Sequence, residues 1–243
     1  MPKKLQPKKP AIICIHDHGQ SLFNTVAIKK SKSKAYFGYE LARLGFITIS
    51  HDWLGSGERE KWRDKNLLFF RSETHRSNWV RFIGLDMIGI RVTEVMALIN
   101  YLETREEVDS NHIGILGHSG GGTISLFSTI AEKRINVTGI SGYFGTWDDS
   151  LLAMYNCGCD YISNLRKYVE LYDIFASIAP YPVVVCIGKK DRFFPIEGVK
   201  KAIPIIEAAY KESNHPENFI VDMQPKGHIF YRDKIYPFLS KYI

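Results

Sequence analysis

The chain alternates short apolar runs with longer stretches in which apolar residues recur every three or four positions. The short runs are Ala11–Ile15, Phe46–Ser50, His112–Leu116, Val137–Ser141, Pro182–Ile187 and Phe219–Val221. Each is bounded by polar or glycine-bearing segments and is too short for a buried helix, so each predicts a strand covered on both faces. Between them the helical period predicts helices over Tyr36–Leu44, stopping at Gly45, and over Asn78–Glu103 as one long element. Further helices are expected over Gly122–Ala131, over Ile196–Tyr210, and from beyond His228 to about Tyr242. Strands alternating with helices imply right-handed crossovers and a mainly parallel sheet with helices on both faces. Two stretches break the alternation. Gly55–Thr74 is polar, and Trp147–Ala179 is irregular and aromatic-rich, which reads as a helical cap excursion able to roof a pocket. The whole chain, 1–243, is expected to form a single domain preceded by a basic tail over 1–10.

Composition narrows this picture only a little. With 243 residues and 45% hydrophobic content the chain can bury one large core. The net charge of +6 is partly local. Lys3, Lys4, Lys8 and Lys9 lie in the tail, and Lys29, Lys30, Lys32 and Lys34 form a second cluster. No nucleic-acid motif accompanies them, so they read as solvated surface with at most a weak attraction for anionic substrates. No run is long enough to span a bilayer, and Ala11–Ile15 is too short for a signal-peptide core, so cytoplasmic residence is expected. Cys14 and Cys186 fall inside strand-like runs and read as buried free thiols. Cys157-Gly158-Cys159 lacks companions at metal-ligand spacing and reads as structural thiols in a loop or cap. No cofactor and no metal is expected.

The candidate chemistry centres on Gly117-His118-Ser119-Gly120-Gly121, which fits G-x-S-x-G. In that motif a strand turns sharply into a helix and lifts the serine oxygen above the sheet, and its neighbours must be small. A serine hydroxyl needs a base, and the base needs an orienting carboxylate, in the chain order Ser, acid, His. Only His215 and His228 follow Ser119, and His228, directly after the last strand and its loop, is preferred. Asp191, just past the strongest strand, is the preferred acid, with Asp148 and Asp149 as alternatives. An oxyanion would be held by the N–H groups of Gly120 and of the loop after the first strand, with His18 favoured over Gly19. His16 and His18, with Asp17 and His51-Asp52, also suggest a metal pair, but holding that loop in shape is the better use of the cluster. Tyr143 and Trp147 are expected to line a substrate pocket, together with Phe144 and Tyr155, although core packing explains them about as well.

These stretches resemble the α/β-hydrolase superfamily, and within it the dienelactone-hydrolase-like and acetyl-xylan-esterase-like serine hydrolases. The resemblance is carried by His16–Gly19, Tyr39–Phe46, Gly55–Arg59, Gly117–Gly122, Cys157–Cys159, Ile178–Pro180, Gly188–Pro195 and Gly227-His228. It implies a three-layer α/β-hydrolase fold with Ser119 as nucleophile, His228 as base and Asp191 as its partner. It further implies a small-molecule ester substrate cleaved through an acyl-enzyme, with no nucleic acid or membrane partner and no stated oligomeric state. Two departures stand out. Asp17 replaces a glycine usual in the oxyanion loop, and the chain starts almost at its first central strand, where relatives often carry more, so it reads as a short or trimmed form. Dienelactone hydrolases use cysteine where Ser119 stands, so lactone specificity does not carry over. An amidase, peptidase or thioesterase would use the same apparatus. A non-catalytic binding domain is the rival from another class, and it has no need of all three residues.

Overall fold

The computed structural model of the protein describes residues 7–29, 34–60 and 71–243. Lys3, Lys4, Lys30 and Lys32 of the basic clusters, and positions 61–70 of the polar stretch, lie outside the described residues. Six strands form one sheet in the order β2-β1-β3-β4-β5-β6, and every neighbouring pair is parallel. They are β1 (Lys9–Ile15), β2 (Ile47–Ile49), β3 (Val108–His118), β4 (Ile135–Ser141), β5 (Val183–Gly188) and β6 (Phe219–Gln224). The helices among the described residues are α1 (Leu22–Thr25), α2 (Phe37–Arg43), α3 (Arg71–Phe82), α4 (Met87–Glu103), α5 (Gly120–Ala131), α6 (Leu171–Ser177), α7 (Ile196–Glu212) and α8 (Ile235–Tyr242).

The alternation of side chains along each strand sorts the helices into two layers. Ile12, Cys14, Leu116, Val137, Val184 and Cys186 point to one face and pack against Phe37 and Leu41 of α2 and Ile235, Phe238 and Leu239 of α8. Ala11, Ile13, Ile15, Ile113 and Ile115 point to the other, where α4 supplies Val95, Ile99 and Leu102. On the same side Val183, Val185 and Ile187 meet α6 and α7. Central strands buried on both faces read as continuous apolar runs, which is why β5 was so plain in the sequence.

Four boundaries differ from expectation. The long helix over Asn78–Glu103 is two helices, α3 and α4, broken at Gly84, whose φ of +81° no helix accommodates. Ile83 and Leu85 therefore stand exposed at the joint rather than on a buried stripe. The strand expected over His112–Leu116 begins earlier, at Val108, so the polar residues Asp109-Ser110-Asn111 lie inside β3, and the β1–β3 register shifts beside them. Lys9 belongs to β1, its N–H donating to the Glu107 carbonyl at 2.9 Å, and not to a tail. In the cap excursion only part reaches the pocket, because Leu171 and Phe175 of α6 are buried in the helical layer against α7. No helix among the described residues is long and apolar enough to cross a membrane.

Candidate active site

Ser119 sits between the end of β3 and the start of α5 with φ of +54° and ψ of −118°. A residue with a Cβ is strained there by about 1–3 kcal/mol, and the surroundings must hold it. They do so by close backbone approach. The Ser119 N–H donates to the Ser141 carbonyl at 2.7 Å, and the Ser119 carbonyl accepts from the Gly122 N–H at 2.8 Å. A Cβ on Gly117 would stand 2.0 Å from the Gly121 carbonyl oxygen, and one on Gly120 would stand 2.4 Å from the His18 ring. The small residues of the motif are thus required by backbone and ring contacts present in the fold.

The three residues that the sequence singled out converge from three strand ends. His228 Nε2 lies 2.8 Å from Ser119 Oγ. His228 Nδ1 lies 2.7 Å from Asp191 Oδ2. The other Asp191 oxygen accepts from the Phe193 and Phe194 N–H groups at 2.9 and 3.2 Å, which fixes the carboxylate in place. With its Nδ1–H committed to Asp191, His228 presents Nε2 to the serine as an acceptor. Phe193 and Phe194 also flank the imidazole, with ring centroids 4.9 and 6.1 Å away.

The alternatives fall elsewhere. His215 pairs with Glu217 ahead of β6, at the opposite end of a parallel sheet from Ser119. Asp148 pairs with Arg166, and Asp149 with Lys201. His16 turns away from His18, with Nδ1 on the Asp17 carbonyl at 2.8 Å and Nε2 on Ser56 Oγ at 3.1 Å, so the two do not form a metal pair. Burial lowers the His16 pKa to about 4.

Ser119, Gly120, His18, Tyr143 and His228 share a cleft of about 130 Å³. Gly120 is the first residue of α5, where a backbone N–H has no intrahelical carbonyl to meet. Trp147 does not reach this cleft. It is buried in the core, its indole N–H donating to the Tyr143 hydroxyl at 3.3 Å, and it borders a separate depression of about 40 Å³. Phe144 is likewise core, whereas Tyr155 lines the cleft. Thr123, Asn156 and Asp160 also line the cleft and went unremarked in the sequence, where nothing but the fold links them to Ser119.

His118, the second residue of the motif, is fully buried beside His228, with ring centroids 5.0 Å apart. Burial, and the neighbouring His228, hold its pKa well below the ordinary histidine value. The folded state therefore keeps His118 neutral while the unfolded state takes up a proton below about pH 6.5. Stability from this group is fully present above that pH and is lost as pH falls. We expect the thermal midpoint to decline from pH 6.5 to 5, and to decline less steeply in His118→Asn; equal slopes in the two proteins would refute the assignment.

Comparison with known proteins fits this geometry. A family model described as "Dienelactone hydrolase family" matches residues 1–234. The chain belongs to the dienelactone hydrolase family. YtaP of Bacillus subtilis (strain 168), assigned as a hydrolase, is 25% identical over 256 residues, which cover 100% of this chain and 81% of YtaP. A Bacteroides fragilis NCTC 9343 protein assigned as an acetyl xylan esterase superposes with a TM-score of 0.75 at 16% identity, covering 92% of this chain and 61% of that one. Methylesterase BT1017 gives 0.69 at 21% identity, covering 98% and 49%. A glucuronoyl esterase from Caldicellulosiruptor kristjansonii gives 0.65 at 14%, covering 99% and 69%. The chain thus spans only about half to two thirds of these solved structures, and at such identities they establish the α/β-hydrolase fold alone.

Proposed function

We propose that this family member is a serine hydrolase that cleaves carboxylic esters through an acyl-enzyme. The observation that carries the reading is the unbroken hydrogen-bonded line Ser119–His228–Asp191, at 2.8 and 2.7 Å, on a strained turn facing a cleft. Ser119 Oγ attacks the ester carbonyl carbon while its proton passes to His228 Nε2. Asp191 accepts from Nδ1–H and stabilises the imidazolium. The Gly120 and His18 N–H groups hold the oxyanion. His228 then protonates the departing alkoxide, and water repeats the sequence on the acyl-enzyme.

The substrate reading draws on the cleft and on relatives. A cleft of about 130 Å³ suits a small acyl or alcohol group at the reacting carbon. The structural neighbours described as acetyl xylan esterase, methylesterase and glucuronoyl esterase all name esters borne on larger molecules or carrying a small group. A fluorophosphonate probe, followed by peptide mapping, tests the reading. An adduct on Ser119 supports it; no adduct, or one on another residue, sinks it. Asp191→Asn is expected to lower kcat by about 10⁴-fold, because the amide favours the wrong imidazole tautomer. Asp148→Asn, whose partner is Arg166 on the surface, serves as the control and should leave kcat unchanged.

A further inference from the structure

Behind the His18 ring lies a second, buried convergence of side chains that the Ser119 chemistry does not use. His18 Nε2 stands 3.1 Å from Cys159 Sγ and 3.5 Å from Glu73 Oε2. The same Glu73 oxygen is 3.7 Å from Cys157 Sγ and 3.6 Å from Cys159 Sγ. All four atoms lie within 4.8 Å of one another, and Glu73, Cys157 and Cys159 are buried. We propose that His18 Nε2, Glu73 Oε2, Cys157 Sγ and Cys159 Sγ form a binding site for one zinc ion. The site borders the Ser119 cleft, which His18 and Cys157 also line, but it uses the His18 ring and not the backbone N–H assigned to the oxyanion.

Three features favour a metal over a plain polar cluster. First, the spacing fits. Arms of about 2.0–2.3 Å to nitrogen, oxygen and sulfur give a tetrahedron with edges of about 3.3–3.8 Å, and the contacts above fall close to that range. Second, the donor set fits. Two sulfurs, one imidazole nitrogen and one carboxylate oxygen within 4.8 Å of one another are a combination that suits zinc. Third, the ligands are oriented from outside. The Trp53 indole N–H donates to Glu73 Oε1 at 3.2 Å, leaving Oε2 to face the sulfurs. The Cys159 N–H donates to Cys157 Sγ at 3.4 Å and fixes the direction of that side chain. Outer contacts of this kind are what holds ligands ready for a metal.

Charge balance is consistent with this. Two thiolates and a carboxylate around a divalent ion leave one negative charge. The buried Arg91, 3.7 Å from Glu73 Oε2 and stacked 4.4 Å over Trp53, offsets that charge, and Asp160, 3.4 Å from His18 Nε2, adds one further carboxylate beside the set. Without a metal, burial opposes charge on His18, but Asp160, Cys159 and Glu73 together raise its pKa well above the usual value. Burial meanwhile drives the Cys159 thiol pKa far up. A metal-free cluster held by the His18 contacts to Glu73 and Asp160, at 3.5 and 3.4 Å, is the competing arrangement the experiment must exclude. The site explains why Cys157-Gly158-Cys159 looked incomplete: its companions are His18 on the loop after β1 and Glu73 on α3, far away in sequence. A bound ion would tie that loop, α3 and the turn at 157–160 together.

The test is direct. Full-length protein is stripped with a chelator, reconstituted with Zn²⁺ alone and weighed for metal by mass spectrometry, then titrated with Co²⁺. One Zn²⁺ per chain, a raised thermal midpoint, and thiolate-to-cobalt charge-transfer bands that saturate at one equivalent support the site. Cys157→Ser and Glu73→Gln should each weaken Zn²⁺ binding by more than about 100-fold, whereas Cys186→Ser, whose thiol lies on β5, should not change it. Sub-stoichiometric zinc in the wild type, cobalt spectra without thiolate bands, or loss of binding on Cys186→Ser would overturn the proposal. The wild-type titrations decide the matter even if a variant fails to fold.

Discussion

Ser119→Ala is expected to lower kcat/KM for an activated acetate ester by about 10⁴–10⁶-fold while leaving the fold intact. Alanine is the right replacement because it keeps the Cβ, so the backbone strain at φ of +54° is unchanged and only Oγ is lost. His228 then has no proton to take, and attack must come from water. The residual rate should still exceed the uncatalysed one by about 10³–10⁴-fold, from the oxyanion donors and binding. Steady-state kinetics with the ester, alongside thermal denaturation of both proteins, checks it. A thermal stability within about 1 kcal/mol of wild type is expected, as for substitutions that leave packing alone. Undiminished turnover in a folded Ser119→Ala protein would remove the serine from the mechanism.

A large stability effect is expected at Gly121, where Gly121→Ala should cost about 4 kcal/mol or more. A Cβ there would stand 2.2 Å from the Ile15 carbonyl oxygen and 2.5 Å from that of His16. Both obstacles are backbone atoms at the end of β1, so no side chain can rotate out of the way. Relief requires α5 to lift from the sheet, which would open the core around Ile124 and Leu126 and carry Ser119 with it. Urea unfolding followed by circular dichroism measures the loss. A change smaller than about 1 kcal/mol would mean that the helix is not held as closely as described. The overpacking penalty usual for cores is only about 1–3 kcal/mol because side chains adjust; here they are not the obstacle.

Much of this was legible in the chain because of where the information is local. Strand β5 announces itself as Val183–Gly188, buried at every position, and the turn around Ser119 is a five-residue signal with a strand before and a helix after it. His228 could be ranked over His215 because it follows β6 and does not precede it, and Asp191 over Asp148 and Asp149 because it stands just past β5, the plainest strand, although all three acids follow strands with C-terminal ends on one edge. What failed depended on geometry that sequence does not carry. The helical period continues through Ile83, Gly84 and Leu85, yet one positive φ ends α3. Trp147 sits four residues from Tyr143, and nothing in that spacing says that one ring lines the cleft while the other is core. The companions of Cys157 and Cys159 lie in segments that only the crossovers bring near.

The Ser119–His228 hydrogen bond joins residues 109 positions apart, with β4, β5 and β6 threaded between them. That separation gives the molecule a built-in delay. While the chain is being synthesised, β1, β3, α5 and β4, whose Ser141 carbonyl accepts from the Ser119 N–H, all precede the segment that bears His228. Until β6 docks and the following loop delivers His228, the serine is an ordinary alcohol. Contacts this distant also pay a large loop-closure cost before they return anything, so they form late. On the proposed mechanism, a chain whose β6 has not docked therefore carries its serine without the imidazole that would activate it.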